Sequence, residues 1–177
     1  MDESQMEIRR ATAADIGAVA AIYDAVNDHL AAVGNYNAPS WGKGTYPVAG
    51  TAAEALAEET LYVAVSNGEV MGSCILNHRQ HDDYVQVPWS LDARDEEIWV
   101  VHTLVVHPQH RGMGVGRKLL AFAVAHCRAS GARTIRLDTF LANANAQALY
   151  SSAGFSDMGV WPTFKSGEIV RMFEYIL

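Results

Sequence analysis

The residues of this chain best placed to do chemistry are Arg111-Gly112-Met113-Gly114-Val115-Gly116, followed at once by Arg117 and Lys118. Three glycines at alternate positions strip side chains from a short stretch of backbone, so its N–H groups can close around a ligand. The stretch also stands where a helix is about to begin. The unpaired N–H groups and the positive dipole end of a helix start favour an anion. Arg111, Arg117 and Lys118 add charge-assisted contacts at the same spot. The chemistry implied is the grip of one small polyanion. Two phosphate motifs do not fit. A Walker A loop needs Ser or Thr after its lysine, and Lys118 is followed by Leu119. A dinucleotide fingerprint needs glycine three places after Gly114, where Arg117 stands.

The elements around this turn must hold it rigidly. Ile98 to Val106 is a nearly continuous apolar run with His102 and Thr103 inside it, which reads as a central strand buried on both faces. Val115 to Ala129 reads as a helix closed by Gly131. Upstream, Met6 to Arg10 alternates as a strand. Thr12 and Asp15 cap a helix whose apolar residues Ile16, Val19, Ile22, Tyr23 and Val26 recur at helical spacing as far as Gly34. Asn35 to Pro47 reads as a loop, and Thr51 with Glu54 as the capping box that opens a short helix ending near Glu59. Leu61 to Val65 and Val70 to Leu76 make a hairpin about Asn67-Gly68. His78 to Glu97 is a long polar loop that is either functional or hides short structure. Thr134 to Thr139 is a strand and Ala144 to Ser152 a helix closed by Gly154. Phe155 to Val160 and Ile169 to Ile176 are the last two strands. The order β-α-α-β-β-β-α-β-α-β-β predicts a mixed α/β layout around one sheet.

The chain's 177 residues suit one domain, and half of them are hydrophobic, enough for a real core. A net charge of -7 with sparse basic residues excludes a nucleic-acid footprint. No apolar run reaches the ~20 residues that span a bilayer, and the acidic, polar start is no secretory signal, so the cytoplasm is the expected location. Cys74 and Cys127 lack metal-type spacing and read as buried small hydrophobes in a reducing compartment. His78 and His81 are a close histidine pair at i, i+3 spacing with no third ligand, so no metal is expected.

Arg111-x-x-Gly114-x-Gly116 resembles the R/Q-x-x-G-x-G/A signature of the GNAT acetyltransferases. The preceding Leu104-Val105-Val106-His107-Pro108 is similar to that family's strand and turn, and Asn143 to Phe155 to its later "N…A…LY…GF" segment. The opening from Glu7 to Ile16 is also typical. The resemblance covers nearly the whole chain and is strongest from Trp99 to Val160. It implies a single GNAT-like domain over residues 1–177, α/β (α+β), with a central mixed, mostly antiparallel sheet flanked by helices and a strand splayed at the cofactor site. It implies acetyl-CoA as co-substrate: backbone of Leu104, Val105 and Val106 on the pantetheine arm, the stretch Arg111, Gly112, Met113, Gly114, Val115, Gly116 and Arg117 on the pyrophosphate, Asn143 further along the arm, and Tyr150 near the thioester sulfur.

Acetyl transfer to an amine requires the amine to lose a proton, the thioester oxygen to be stabilised and the thiolate to receive a proton. Tyr150 suits the last task, and an N–H near Val105 the second. His102 is the leading base, since neutral imidazole accepts a proton near neutral pH; it departs from the glutamate many family members carry nearby, and Glu96 and Glu97 are alternatives. Alternation places His102, Leu104 and Val106 on one face of their strand. The acceptor side implied by the family falls on Asn27 to Tyr46 and His78 to Glu97, with Trp41 and Tyr46 as an apolar wall. The acceptor is an amine of a small molecule or peptide, not chosen further. Two other readings stand beside this one: a non-catalytic CoA-binding module, and transfer of a larger acyl group. The last strands of the fold often pair between chains, which makes Ile169 to Leu177 an edge for a homodimer.

Overall fold

The computed structural model describes residues 6–33 and 40–177. Gly34, expected at the end of the first helix, and residues 35–39 of the expected loop lie outside the described residues, as do residues 1–5. The strands are β1 (Glu7–Arg10), β2 (Leu61–Ser66), β3 (Glu69–Asn77), β4 (Ile98–Val106), β5 (Thr134–Phe140), β6 (Ser156–Pro162) and β7 (Ile169–Ile176). The helices are α1 (Ile16–Val33), α2 (Ala49–Ala57), α3 (Val115–Ala129) and α4 (Ala144–Ser152). The strands form one sheet in the order β1-β2-β3-β4-β5-β7-β6, and every neighbouring pair is antiparallel except β4 and β5. This is the mixed, mostly antiparallel layout expected.

Three apolar clusters hold the layers. On one face Leu119, Leu120, Ala123 and Cys127 of α3 and Tyr150 of α4 pack on Cys74, Leu76, Val101, Ile135 and Leu137 of the sheet. In a second cluster Val19, Ile22 and Tyr23 of α1 and Ala52 and Ala55 of α2 pack on Leu61, Val63, Ile75 and Val105. Both cysteines are free and buried, and burial pushes each thiol up to about 12. The start of α1 is tied to β1 by Asp15, whose carboxylate takes both guanidinium nitrogens of Arg9 at 2.8 and 2.9 Å and the Thr12 N–H at 2.7 Å. The Arg9 pair holds the Asp15 carboxyl well below the usual range despite its burial.

The third cluster belongs to the segment between β3 and β4. The expected polar loop holds two short 3₁₀ turns, Asp82–Gln86 and Asp95–Glu97, and lays Tyr84 and Val87 on Ile98, Val100, Val170 and Met172. Polar contacts fasten it to the sheet. Arg136 of β5 gives its guanidinium to Gln80 Oε1 (2.7 Å) and the Leu91 carbonyl (3.0 Å), and lies 4.4 Å from the Trp89 ring centre. Glu174 of β7 sits 3.6 Å from Arg136 Nε and accepts the Ser90 N–H at 2.7 Å. Arg136 and Glu174 are buried together, so each depends on the other for compensation of its charge.

Three expectations need correction. α2 begins at Ala49, and Thr51 lies within its first turn, where its hydroxyl accepts the Val48 N–H (3.2 Å). Thr51 thus does the reaching back that the third residue of a capping box performs, instead of leading the helix. β7 is no edge, because it bonds to both β5 and β6; the edge strand on that side of the sheet is β6. The alternation along β4 also breaks. Ile75 of β3 pairs with His102 and Ser73 with Val105, so one extra residue is inserted in β4, and Thr103 takes a φ of +46°. As a result Trp99, Val101, Leu104 and Val106 face the α3 cluster, while His102 shares the face of its partner Ile75, with Val105 on that same side.

Gly72 stands opposite Val106, where a Cβ would meet the Val105 carbonyl at 2.6 Å and Val115 Cγ1 at 3.0 Å. Backbone cannot swing aside as a side-chain tip can. Gly72→Ala is expected to cost about 1–3 kcal/mol, the range for overpacking, seen as a lower melting temperature by circular dichroism. An unchanged melting temperature would show that the bulged half of β4 moves freely.

Candidate active site

The site is built on the way β4 leaves β5. The two strands pair only from Ile98 to Val100 with Thr134 to Arg136. Beyond Val100 the edge of β4 facing β5 has no strand partner, and a cavity of about 1310 Å³ opens between them. That is more than a usual small-molecule pocket of about 300–1,000 Å³, so there is room for two substrates end to end. Leu104, Val105 and Val106 line it along the open β4 edge, and Tyr150 and Asn143 line it from α4.

One end is the glycine turn. Gly112 and Gly114 both have φ of +77°, a conformation in which any other residue would be strained. Gly116 comes so close to α4 that a Cβ would meet Leu149 Cδ2 at 2.9 Å. The bonds of α3 begin with the Lys118 N–H to the Gly114 carbonyl (3.0 Å), leaving the N–H groups of the first turn outside the helix's own ladder. Arg111, Gly112, Gly114, Val115, Gly116 and Arg117 all line the cavity. Met113 does not; its side chain packs on the α3 cluster. Arg111 also meets a residue that sequence reasoning missed: its guanidinium lies 2.6 Å from His29 Nε2 of α1, which accepts the bond.

The other end lies beyond Thr103. The Thr103 hydroxyl bonds to the Tyr46 hydroxyl, and Tyr46 meets the Trp41 ring edge-on at 5.5 Å. Asn27 of α1 holds this stretch by donating to the Tyr46 carbonyl at 3.3 Å. Trp41, Tyr46, His102 and Thr103 line the cavity together. His102 Nε2 donates to Asn77 Oδ1 (3.0 Å), which leaves the Nδ1 lone pair unprotonated. Its ring lies edge-on to His81 at 5.1 Å. Burial, with His81 and Arg79 nearby, pushes the His102 pKa down to about 4.

Asp138 was not singled out from the sequence. It lies on β5 at the cavity, and its Oδ1 accepts the Tyr84 hydroxyl at 2.7 Å. Burial raises its carboxyl, against the pull of Tyr84 and His81 in the other direction. The one carboxylate in this buried strand, two residues from Arg136, was the available signal. Glu96 and Glu97, the alternative bases, do not line the cavity. They sit at the start of β4 on Arg94 (2.9 and 3.1 Å), and Arg94 draws the Glu97 carboxyl down to about 2. Tyr150 is buried against Phe173 (5.4 Å) and Phe155 (6.3 Å) with its side at the cavity. Asn143 caps α4, its Oδ1 accepting the Ala146 N–H at 3.1 Å. Among the described residues no group of three His, Cys, Asp or Glu is arranged to hold a metal ion, and no helix is long and apolar enough to cross a membrane.

Comparison with known proteins is consistent with this geometry. The pattern of the acetyltransferase (GNAT) family matches residues 23–155. The L-amino acid N-acyltransferase MnaT of Escherichia coli is 29% identical over 155 residues, spanning 85% of this chain and 79% of MnaT. A mycothiol acetyltransferase of Cellulomonas flavigena is 38% identical over 68 residues; the match covers 38% of this chain but spans only a fifth (20%) of that relative's length. Among solved structures, yncA of Salmonella typhimurium, described as an acetyltransferase and solved with its cofactor acetyl-CoA, superposes with a TM-score of 0.69. It is 24% identical, over 98% of this chain and 94% of that one.

The His102 environment makes a pH-dependent outcome calculable in sign. Its folded pKa of about 4 lies below the ordinary 6.5, so between those values the unfolded chain binds more protons than the folded one. This group therefore costs no stability above about pH 6.5, and its destabilisation grows as pH falls, becoming complete below about 4. An imidazole titration by NMR is expected to show His102 neutral at pH 6. A midpoint near 6.5 would mean that the ring is solvated.

Proposed function

The chain belongs to the acetyltransferase (GNAT) family, and on that premise we propose that it moves an acetyl group from acetyl-CoA to a primary amine by direct transfer. One observation carries the proposal: a single cavity runs from the glycine turn, along the unpaired edge of β4, to Tyr150, His102 and Asp138. The chain's residues fit acetyl-CoA. The first-turn N–H groups of α3, with Arg111 and Arg117, suit the pyrophosphate. The β4 edge at Leu104 to Val106 offers strand-like hydrogen bonds to the pantetheine amides, and Asn143 flanks the same arm. When bound, acetyl-CoA supplies the thioester carbon that the amine attacks.

The reaction needs a C–N bond formed, a C–S bond broken and a proton carried from nitrogen to sulfur. An N–H near Val105, at the bulge, is assigned as the donor to the thioester oxygen. Tyr150 gives its phenolic proton to the departing thiolate. Proton removal from the amine falls to the group around His102. Burial weakens the imidazole as a base and strengthens the Asp138 carboxylate, so Asp138 takes the proton and neutral His102 turns its Nδ1 to the amine N–H. Neither buried thiol reaches this site, which favours direct transfer over an acyl-cysteine route. Assembly as a homodimer in a reducing cytoplasm is part of the same proposal. Exposed Val160, Phe164 and Ile169 at the outer β6–β7 hairpin are surface that a second copy would cover.

Calorimetry is the first test: acetyl-CoA is expected to bind, with desulfo-CoA as a control, and a protein that is folded but does not bind it would end this reading. Tyr150→Phe is expected to lower kcat on the order of 10²-fold, the lower range of general acid catalysis, with acetyl-CoA affinity unchanged. A kcat equal to that of the unaltered protein would remove Tyr150 from the mechanism.

A further inference from the structure

The acceptor end of the cavity carries information about which amine it takes, and the inference drawn from it rests on the acetyl-transfer reading above. Three aromatic rings converge there. Trp41 lies edge-on to Tyr46 at 5.5 Å and edge-on to Phe140 of β5 at 6.2 Å, and all three line the cavity. Trp41 belongs to the stretch before α2, Tyr46 is pinned through its hydroxyl to Thr103, and Phe140 ends β5 two residues beyond Asp138. Residues two apart on a strand share a face, so Asp138 and Phe140 present a carboxylate and a ring to the same space. Asp138 is fixed there by Tyr84 at 2.7 Å.

The charges around it decide what may accompany the amine. Among the described residues, the cations lining this end are Arg79, which is ion-paired to Glu58, and Lys165, exposed at the tip of the hairpin between β6 and β7. The buried cation of the region, Arg136, is turned to Gln80, the Leu91 carbonyl and Glu174 and does not line the cavity. His102, whose ring lies edge-on to His81, is neutral across the physiological range. An ammonium entering this end meets a carboxylate that needs a counter-charge. A carboxylate attached to the same carbon as the amine would be carried in beside Asp138 with no fixed cation to receive it.

We propose that the acceptor is a primary amine borne on an apolar, ring-sized body and lacking a carboxylate next to the nitrogen, with Asp138 seating the ammonium and Trp41, Tyr46 and Phe140 enclosing the body. This separates the chain from an enzyme acting on L-amino acids, the acceptor in the name of the relative it matches over 85% of its length. Trp41 and Phe140 are then specificity-determining: they bind the body of the acceptor and leave acetyl-CoA binding alone.

Two matched acceptor pairs test this, with thiol release as the readout and acetyl-CoA binding measured calorimetrically on the same samples. Phenethylamine and L-phenylalanine differ only in the carboxylate. Phenethylamine is expected to have a kcat/KM higher on the order of 10²-fold, because like charges brought together in a desolvated site cost several kcal/mol. Phenethylamine and ethylamine differ in the ring. Trp41→Ala and, separately, Phe140→Ala are expected to lower kcat/KM for phenethylamine about three- to tenfold more than for ethylamine, the range for an aromatic contact. Unchanged acetyl-CoA binding reports that each variant is folded. L-phenylalanine used as well as phenethylamine, ethylamine used as well as phenethylamine, or acetyl-CoA bound and none of the three amines acetylated would each overturn the acceptor class. Loss of acetyl-CoA binding in the unaltered protein would instead sink the acetyl-transfer reading, so the two failures are distinguishable.

Discussion

The parting of β4 from β5 after three paired residues is the constraint on which the rest of this molecule depends. Backbone N–H and C=O groups in a protein interior must find partners. In the middle of this seven-stranded sheet that need is met by the neighbouring strand as far as Val100 of β4 and Arg136 of β5, and beyond them the facing edges of these two strands are unpaired. The extra residue at Thr103 sits in the same stretch, and Gly72 allows β3 to stay close to the bulged strand where any side chain would push it off. A wedge thus opens inside an otherwise continuous sheet, and its walls are backbone. An extended ligand with amide groups can take the place of the missing strand without any side chain being arranged for it.

What side chains add is electrostatic and comes from burial. The same desolvation lowers the pKa of the His102 imidazole and raises that of the Asp138 carboxyl, because it disfavours whichever form is charged. In water the imidazole is the stronger base of the two; burial narrows that gap, keeping the ring neutral and making the carboxylate a better proton acceptor than a solvated one. At the opposite end the exposed guanidiniums of Arg111 and Arg117 lie beside a helix start. One cavity therefore holds a hydrated, cationic end and a desolvated end with a carboxylate.

Much of this was legible in the sequence, and the boundary of legibility has a physical cause. The glycine turn, the buried β4 run and the helices α3 and α4 are local signals: periodicity, caps and backbone freedom act within a few residues. The bulge had no such signal, since threonine is a β-branched residue that ordinarily avoids positive φ, and tertiary contacts override that preference. Asp138 was missed because its partner Tyr84 lies 54 residues away in the chain, in a segment that reads as a plain polar loop. The Arg136–Glu174 pair explains that segment and is likewise non-local. Met113 is a different case: its side chain turns to the core, so only its backbone is offered to the glycine turn.

The fastening of residues 78–97 has a consequence for how such a protein diversifies. The wall of the acceptor end is a segment held from outside by Arg136, Glu174 and Asp138, the last through its own Tyr84, whereas the glycine turn and the β4 edge are set by the sheet and α3. Inheritance can therefore act on the two halves at different rates. Substitutions in the wall that keep those few anchors alter what is accepted, while the machinery that delivers the acyl group stays intact. A lineage built this way explores new acceptors by small steps, without passing through forms that have lost their donor.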